Sequence, residues 1–111
     1  MKTSLAALLF ISAGVVVEVQ AGVAGWTDAA NVAALEANDV GRFTMKLTVE
    51  KNTSGCRNPN WFYADYGRAG SDLMYQTLLD ASRSGLKVQL HVTGACDLNG
   101  YSGISAVRIL P

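Results

Sequence analysis

From Phe43 to Glu50 apolar and polar side chains alternate without a break: Phe43, Met45, Leu47 and Val49 take one face, Thr44, Lys46, Thr48 and Glu50 the other. A period of two sends successive side chains to opposite sides of an extended chain, so this stretch predicts a strand buried on one face. Leu86 to Thr93 repeats the pattern, with Leu86, Val88, Leu90 and Val92 inward and Lys87, Gln89, His91 and Thr93 outward. Val32 to Ala37 reads as a further strand, turned back into the Phe43 run by Asn38-Asp39-Val40-Gly41, residues that favour chain reversal. Trp61 to Tyr66 is aromatic-rich in the way pleated surfaces favour, and Ser105 to Leu110 closes the chain with Val107 and Ile109 on one face.

Between the third and fourth strands the period changes. Met74, Leu78 and Ala81 fall at i, i+4 and i+7 with Leu73 alongside, a stripe that predicts a helix over residues 72–84. Ser71 is placed to cap it, Asp72 lies near the positive end of its dipole, Arg83 sits in the last turn and Gly85 just past it. The order is therefore β-β-β-α-β-β. Five strands and one helix close most economically as a small Greek-key barrel of the OB type, a mainly β fold with one helix. The alternative is an open α+β sandwich, differing in whether the first and last strands complete the barrel. Residues 22 to 27 are expected to form a loosely held arm, with Trp26 packing on the barrel.

The chain has 111 residues, 50% of them hydrophobic and 16% charged, with 9 Lys+Arg against 9 Asp+Glu. That length bounds it to one folded domain, and the zero net charge removes the basic excess that would neutralise a nucleic-acid backbone. The first 21 residues read as a signal peptide: Lys2, an apolar stretch from Leu5 to Val17 that is too interrupted for a bilayer span, then Val19-Gln20-Ala21 with small side chains at the −3 and −1 positions. Cleavage is expected after Ala21, leaving residues 22 to 111 as a single secreted or periplasmic domain with no membrane span; an uncleaved N-terminal anchor is the alternative.

Export changes how the two cysteines read. Outside the cytoplasm Cys56 and Cys96 are expected to form a disulfide, which would close a loop of about 41 residues and contribute roughly 4 kcal/mol by chain entropy. A zinc site or a reactive thiol using His91 competes with this reading, but the three residues lack zinc-ligand spacing. His91, the lone histidine, falls on the polar face of its strand. General-base work would need a nucleophile and a carboxylate converging on it, and there is no G-x-S-x-G, no H-E-x-x-H and no carboxylate pair at a readable spacing. The expectation is a non-catalytic protein with no cofactor and no metal. Asn52-Thr53-Ser54 matches a glycosylation acceptor but reads as an ordinary loop.

Binding chemistry concentrates in the segment Arg57 to Tyr66. Sugars present C–H patches on hydroxyl-studded rings, so their sites pair an aromatic plate with carboxylate, amide and guanidinium groups. Arg57, Asn60, Trp61, Tyr63 and Asp65 supply this set, and alternation puts Trp61, Tyr63 and Asp65 on one face, opposite Phe62, Ala64 and Tyr66. In the competing arrangement both sets pack, one on the barrel and the other on the arm or a neighbouring subunit.

The pattern Gly55-Cys56, Trp61-Phe62-Tyr63, the stretch Leu78-Leu79-Asp80-Ala81 running into Ser84-Gly85-Leu86-Lys87-Val88, then His91-Val92 and a cysteine before a short final strand, resembles the B-subunit family of subtilase cytotoxin. The resemblance covers about Val32 to Leu110 and is most specific at the junction from helix to strand. It implies an OB fold, secretion and, as in the toxin members, a homopentamer that binds sialylated glycans and carries a catalytic A subunit. Toxin subunits hold their sugar through a serine and neighbouring polar residues just before the first strand. Here that stretch reads Thr27-Asp28-Ala29-Ala30-Asn31, with alanines in place of the hydroxyl, so no site residue is carried over. Two readings follow: a glycan-binding module similar to AB5 toxin B subunits, and a stand-alone exported protein that acts through self-association or protein contact.

Overall fold

The structure, a computed structural model, describes residues 22–111; the signal-peptide reading of residues 1–21 lies outside the described residues. Six strands and one helix follow in the order β1 (Gly25–Trp26), β2 (Val32–Ala37), β3 (Arg42–Leu47), β4 (Trp61–Asp65), α1 (Ser71–Ser84), β5 (Lys87–Cys96) and β6 (Ser102–Leu110). They form one sheet in the order β1-β5-β6-β4-β3-β2. Neighbours are antiparallel except β4 and β6, which run parallel with Phe62 opposite Ser102 and Tyr63 opposite Gly103. The chain is thus mainly β with a single helix.

The two alternating runs make the core. Phe43, Met45 and Leu47 from β3, Phe62 and Ala64 from β4, and Val88, Leu90 and Val92 from β5 are all buried, and Leu78 and Ala81 of α1 close over them. Each large side chain removed from water in this way contributes about 1.5–3 kcal/mol, which holds the alternating face of β3, β4 and β5 inward.

Four expectations need correction. The ladder is open and six-stranded rather than a closed five-stranded barrel: β1 and β2 lie at its two edges. Residues 22 to 27 are not a loose arm, because Gly25 pairs with Val92 and Trp26 with His91, and Thr27 then exchanges two hydrogen bonds with Leu90, through its backbone N–H (2.8 Å) and its buried hydroxyl (3.0 Å). Leu73 is 73% exposed, since the buried stripe runs through Leu78 and Ala81 with Met74 and Tyr75 at its margin. Ser71 does not cap α1. Gly70 holds the N-cap position at φ 82°, a conformation that suits a residue without a Cβ, and no side chain caps the helix. A register shift opposite His91 and Val92 also turns Ile104 into the core, out of step with Val107 and Ile109.

Candidate functional site

The outward face of β4 carries Trp61, Tyr63 and Asp65, all half-buried, while Phe62 and Ala64 are sealed beneath them. Register sets their neighbours: Lys46 lies beside Trp61, Thr44 beside Tyr63 and Arg42 beside Asp65 on β3. The face therefore carries the Trp61 and Tyr63 rings on one strand, with Lys46 beside the first and the charged pair of Arg42 and Asp65 beyond the second.

Two halves of this face behave differently. In one, the Arg42 guanidinium lies 4.1 Å over the Tyr63 ring, with Nη1 donating to Asp97 Oδ2 at 2.6 Å and Nη2 3.3 Å from Asp65 Oδ1. Asp97 is itself fixed, its Oδ1 accepting the backbone N–H groups of Asn99 and Tyr101, each at 2.9 Å. Burial pushes the Tyr63 phenol above its ordinary value of 10.0, opposed by Arg42 and reinforced by Asp97 and Asp65. A tyrosine roofed by a doubly paired arginine is closed to a ligand ring.

In the other half, Trp61 stacks on Tyr101, with centroids 5.3 Å apart and planes at 14°, and the Lys46 ammonium lies 6.0 Å from the Trp61 centroid. Lys46 makes no ion pair among the described residues. A long, flexible cation at that distance yields its place far more readily than a paired guanidinium.

The loops around this half are stitched together. Cys56 and Cys96 form a disulfide with Cα atoms 5.6 Å apart, which removes the thiol and zinc alternatives. Beneath it the Ser54 and Ser102 hydroxyls share a 2.7 Å hydrogen bond, and the Asn52 amide donates to Pro59 O (2.7 Å) and Ser102 Oγ (3.3 Å). Asn52 is thus used inside the loop. Arg57 donates through Nη2 to Leu98 O at 3.0 Å, and Asn58 N–H to Gly100 O at 2.9 Å. Asn60, next to Trp61, uses its carbonyl to accept the Leu47 N–H, and its side chain is half-buried.

Of the five residues expected from sequence, Trp61, Tyr63 and Asp65 share one face, Asn60 adjoins it, and Arg57 is drawn toward the Asp97–Gly100 loop. Sequence reasoning missed Tyr101 and Lys46. Lys46 was already on the polar side of the Phe43 run, and only the strand order places it against Trp61. Tyr101 carried no signal beyond its position after Asn99-Gly100.

His91 is half-buried: its ring meets Trp26 edge-on at 5.2 Å, and Nδ1 is 2.9 Å from Ser105 Oγ. No group of three His, Cys, Asp or Glu residues is arranged to hold a metal among the described residues, and no helix there is long and apolar enough to cross a membrane. No protein-family model matches the chain, and no curated protein matches it either.

Proposed function

We propose that the protein is an exported, non-catalytic binding module that takes a glycan on the Trp61–Tyr101 plate. The observation that carries this is the stacked, half-exposed aromatic pair with a single unpaired cation beside it, backed by a disulfide-tied loop, with Lys46 and Asn60 next to Trp61, and Arg57 on the neighbouring loop, to meet hydroxyl or carboxylate groups. Tyr63 contributes shape here rather than contacts, because Arg42 lies over its ring, and the carboxylate of Asp65 is engaged by the same guanidinium. The disulfide supports export, since such bonds persist outside the cytoplasm, while cleavage after Ala21 rests on the sequence of the first 21 residues.

The same reading takes the six-stranded sheet, open in its hydrogen-bonded ladder, as a partly open barrel of the OB type. Its support is that both edge strands belong to one continuous run, Gly25 to Ala37, with Ala30 bridging Val88 and Thr48 N–H donating to Asn31 O between them. A sheet whose two edges are consecutive segments has to curl on itself. The resemblance to subtilase cytotoxin B subunits adds a homopentamer and a catalytic partner to the proposal. Glycan-array binding that disappears in Trp61→Ala, with an unchanged circular dichroism spectrum, is the expected result. Silence of the wild type across a broad array would remove the reading.

A second reading, contact with another protein, is favoured by a different observation. Val40 (74% exposed) and Leu98 (97% exposed) flank an open groove of about 350 Å³ together with Arg42, Asp97 and Asn99. Light scattering separates the two: an oligomer that dissociates in Leu98→Ser assigns this groove to self-association.

A further inference from the structure

Away from Trp61, where β4 ends, Ala37, Phe43, Tyr66, Ser71, Asp72, Tyr75 and Gln76 line an open pocket of about 330 Å³, at the small end of the range for ligand sites. Phe43 forms its floor, with Tyr66 stacked on it (6.3 Å, 23°) and Tyr75 meeting it edge-on (5.3 Å, 76°). Tyr66 is held as a wall: its hydroxyl donates to Asn38 O at 2.6 Å and accepts the Asn38 N–H at 2.8 Å. The opposite wall is the first turn of α1, which lacks a side-chain cap. There Ser71, only 2% exposed, has the one buried side-chain polar atom without a hydrogen-bond partner among the described residues. Such a group is destabilising in the free protein, and a ligand that satisfies it recovers the loss.

We infer that this pocket is a second binding site, for a single uncharged pyranose ring. The chemistry selects the class. A helix N-terminus without a side-chain cap offers N–H donors, and an ammonium ligand, having no lone pair, leaves them unmet even though the aromatic walls and Asp72 attract its charge. The Asp72 carboxylate in the same turn repels phosphates and carboxylates. What remains is a neutral molecule with an apolar face for Tyr66 and Tyr75 and hydroxyls that both donate to Asp72 and Gln76 and accept from the helix end. Ser71 Oγ is buried in this wall, so its contribution requires a turn between staggered positions that presents the hydroxyl to the ring. The inference stands on the pocket alone and holds whether or not Trp61 binds anything.

The test is a backbone NMR titration of the disulfide-bonded protein with methyl glycosides of glucose, galactose, mannose and N-acetylglucosamine, each raised to tens of millimolar. At least one glycoside should give saturable shifts at Asp72, Tyr75 and Gln76. Ser71→Ala should weaken that binding roughly fivefold, as expected for one lost hydroxyl contact, while its thermal midpoint stays level or rises. Asp72→Asn should weaken it too, and Trp61→Ala should leave it unchanged. Shifts absent with all four glycosides, tighter binding of choline than of any glycoside, or a Ser71→Ala protein that melts earlier yet binds normally would each overturn the assignment.

Discussion

Chain enters β4 at Trp61 from a loop fastened by a disulfide, a buried Ser54–Ser102 pair, the Asn52 amide and the Arg57 and Asn58 contacts to residues 98–100; it leaves β4 at Asp65 into a loop fastened chiefly by the Tyr66 hydroxyl on Asn38. At the first end the buried polar side-chain groups are paired. At the second, Ser71 is buried and unpaired beside an open pocket. The difference shows that stabilising contacts are spread unevenly around one strand: one end is tied by a covalent bridge and paired polar groups, and the other keeps a local mismatch, a contrast that on the proposed reading separates a rigid aromatic surface from a second pocket.

The largest blow to the rigid end is removal of the bridge. Replacing both Cys56 and Cys96 by serine should lower stability by about 4 kcal/mol, read as a shift in the urea midpoint, because the 40-residue separation releases a long loop in the unfolded chain. Glycines sharpen the contrast next. A Cβ on Gly100 would lie 2.7 Å from the Arg57 Cβ and 3.2 Å from Asn58 N at φ 79°, so Gly100→Ala should lose about 2–3 kcal/mol. Gly70, at the looser end, has a similar φ of 82° but open space around the added atom, and Gly70→Ala should lose only about 1 kcal/mol. Equal losses at the two glycines would erase the distinction.

Asp97→Asn tests whether the closed half of the face is closed by charge. It keeps the acceptor for Asn99 and Tyr101 but weakens the hold on Arg42, with an expected loss of about 1.5 kcal/mol, and it should increase exchange broadening of the Tyr63 ring signals. The smallest effect is titration of Tyr63. Its folded-state phenol keeps the proton longer than the unfolded chain does, so the stability tied to the neutral form is intact below pH 10.0 and is lost as pH rises through the higher folded value. Tyr63→Phe should flatten that alkaline decline in a thermal melting series.

What could be read from sequence, and what could not, follows from range. Phe43, Met45 and Leu47, and Val88, Leu90 and Val92, announced their burial because a two-residue period is a local signal, and Val32–Ala37 was found with its full bounds. Gly25–Trp26 escaped because two residues carry no period; its pairing depends on Val92 and His91, some 65 positions away by sequence distance. Ile104 was missed for a related reason, as an extra residue in β6 opposite His91 and Val92 reverses which side chains face inward. At the candidate site the Trp61, Tyr63 and Asp65 face was legible from alternation. Its division into a stacked Trp61–Tyr101 pair and a roofed tyrosine was not, because Arg42, Asp97 and Tyr101 reach it from separate parts of the chain. Ser71 looked like a cap by type, and only Gly70 in the cap position leaves its hydroxyl without that task.

Indole resonances test the account most directly, since the two tryptophans of the described chain sit in unlike nests. Trp26 lies under Arg108 at 3.9 Å, and that guanidinium is fastened to the Gln89 side chain at 3.0 Å, whereas Trp61 has only the unpaired Lys46 nearby. Titrating the disulfide-bonded protein with the oligosaccharide that binds best on an array should move the Trp61 indole N–H signal in a saturable way and leave that of Trp26 in place. A Trp61 signal that stays fixed while the sugar binds elsewhere, or while Trp26 alone responds, would contradict the central claim.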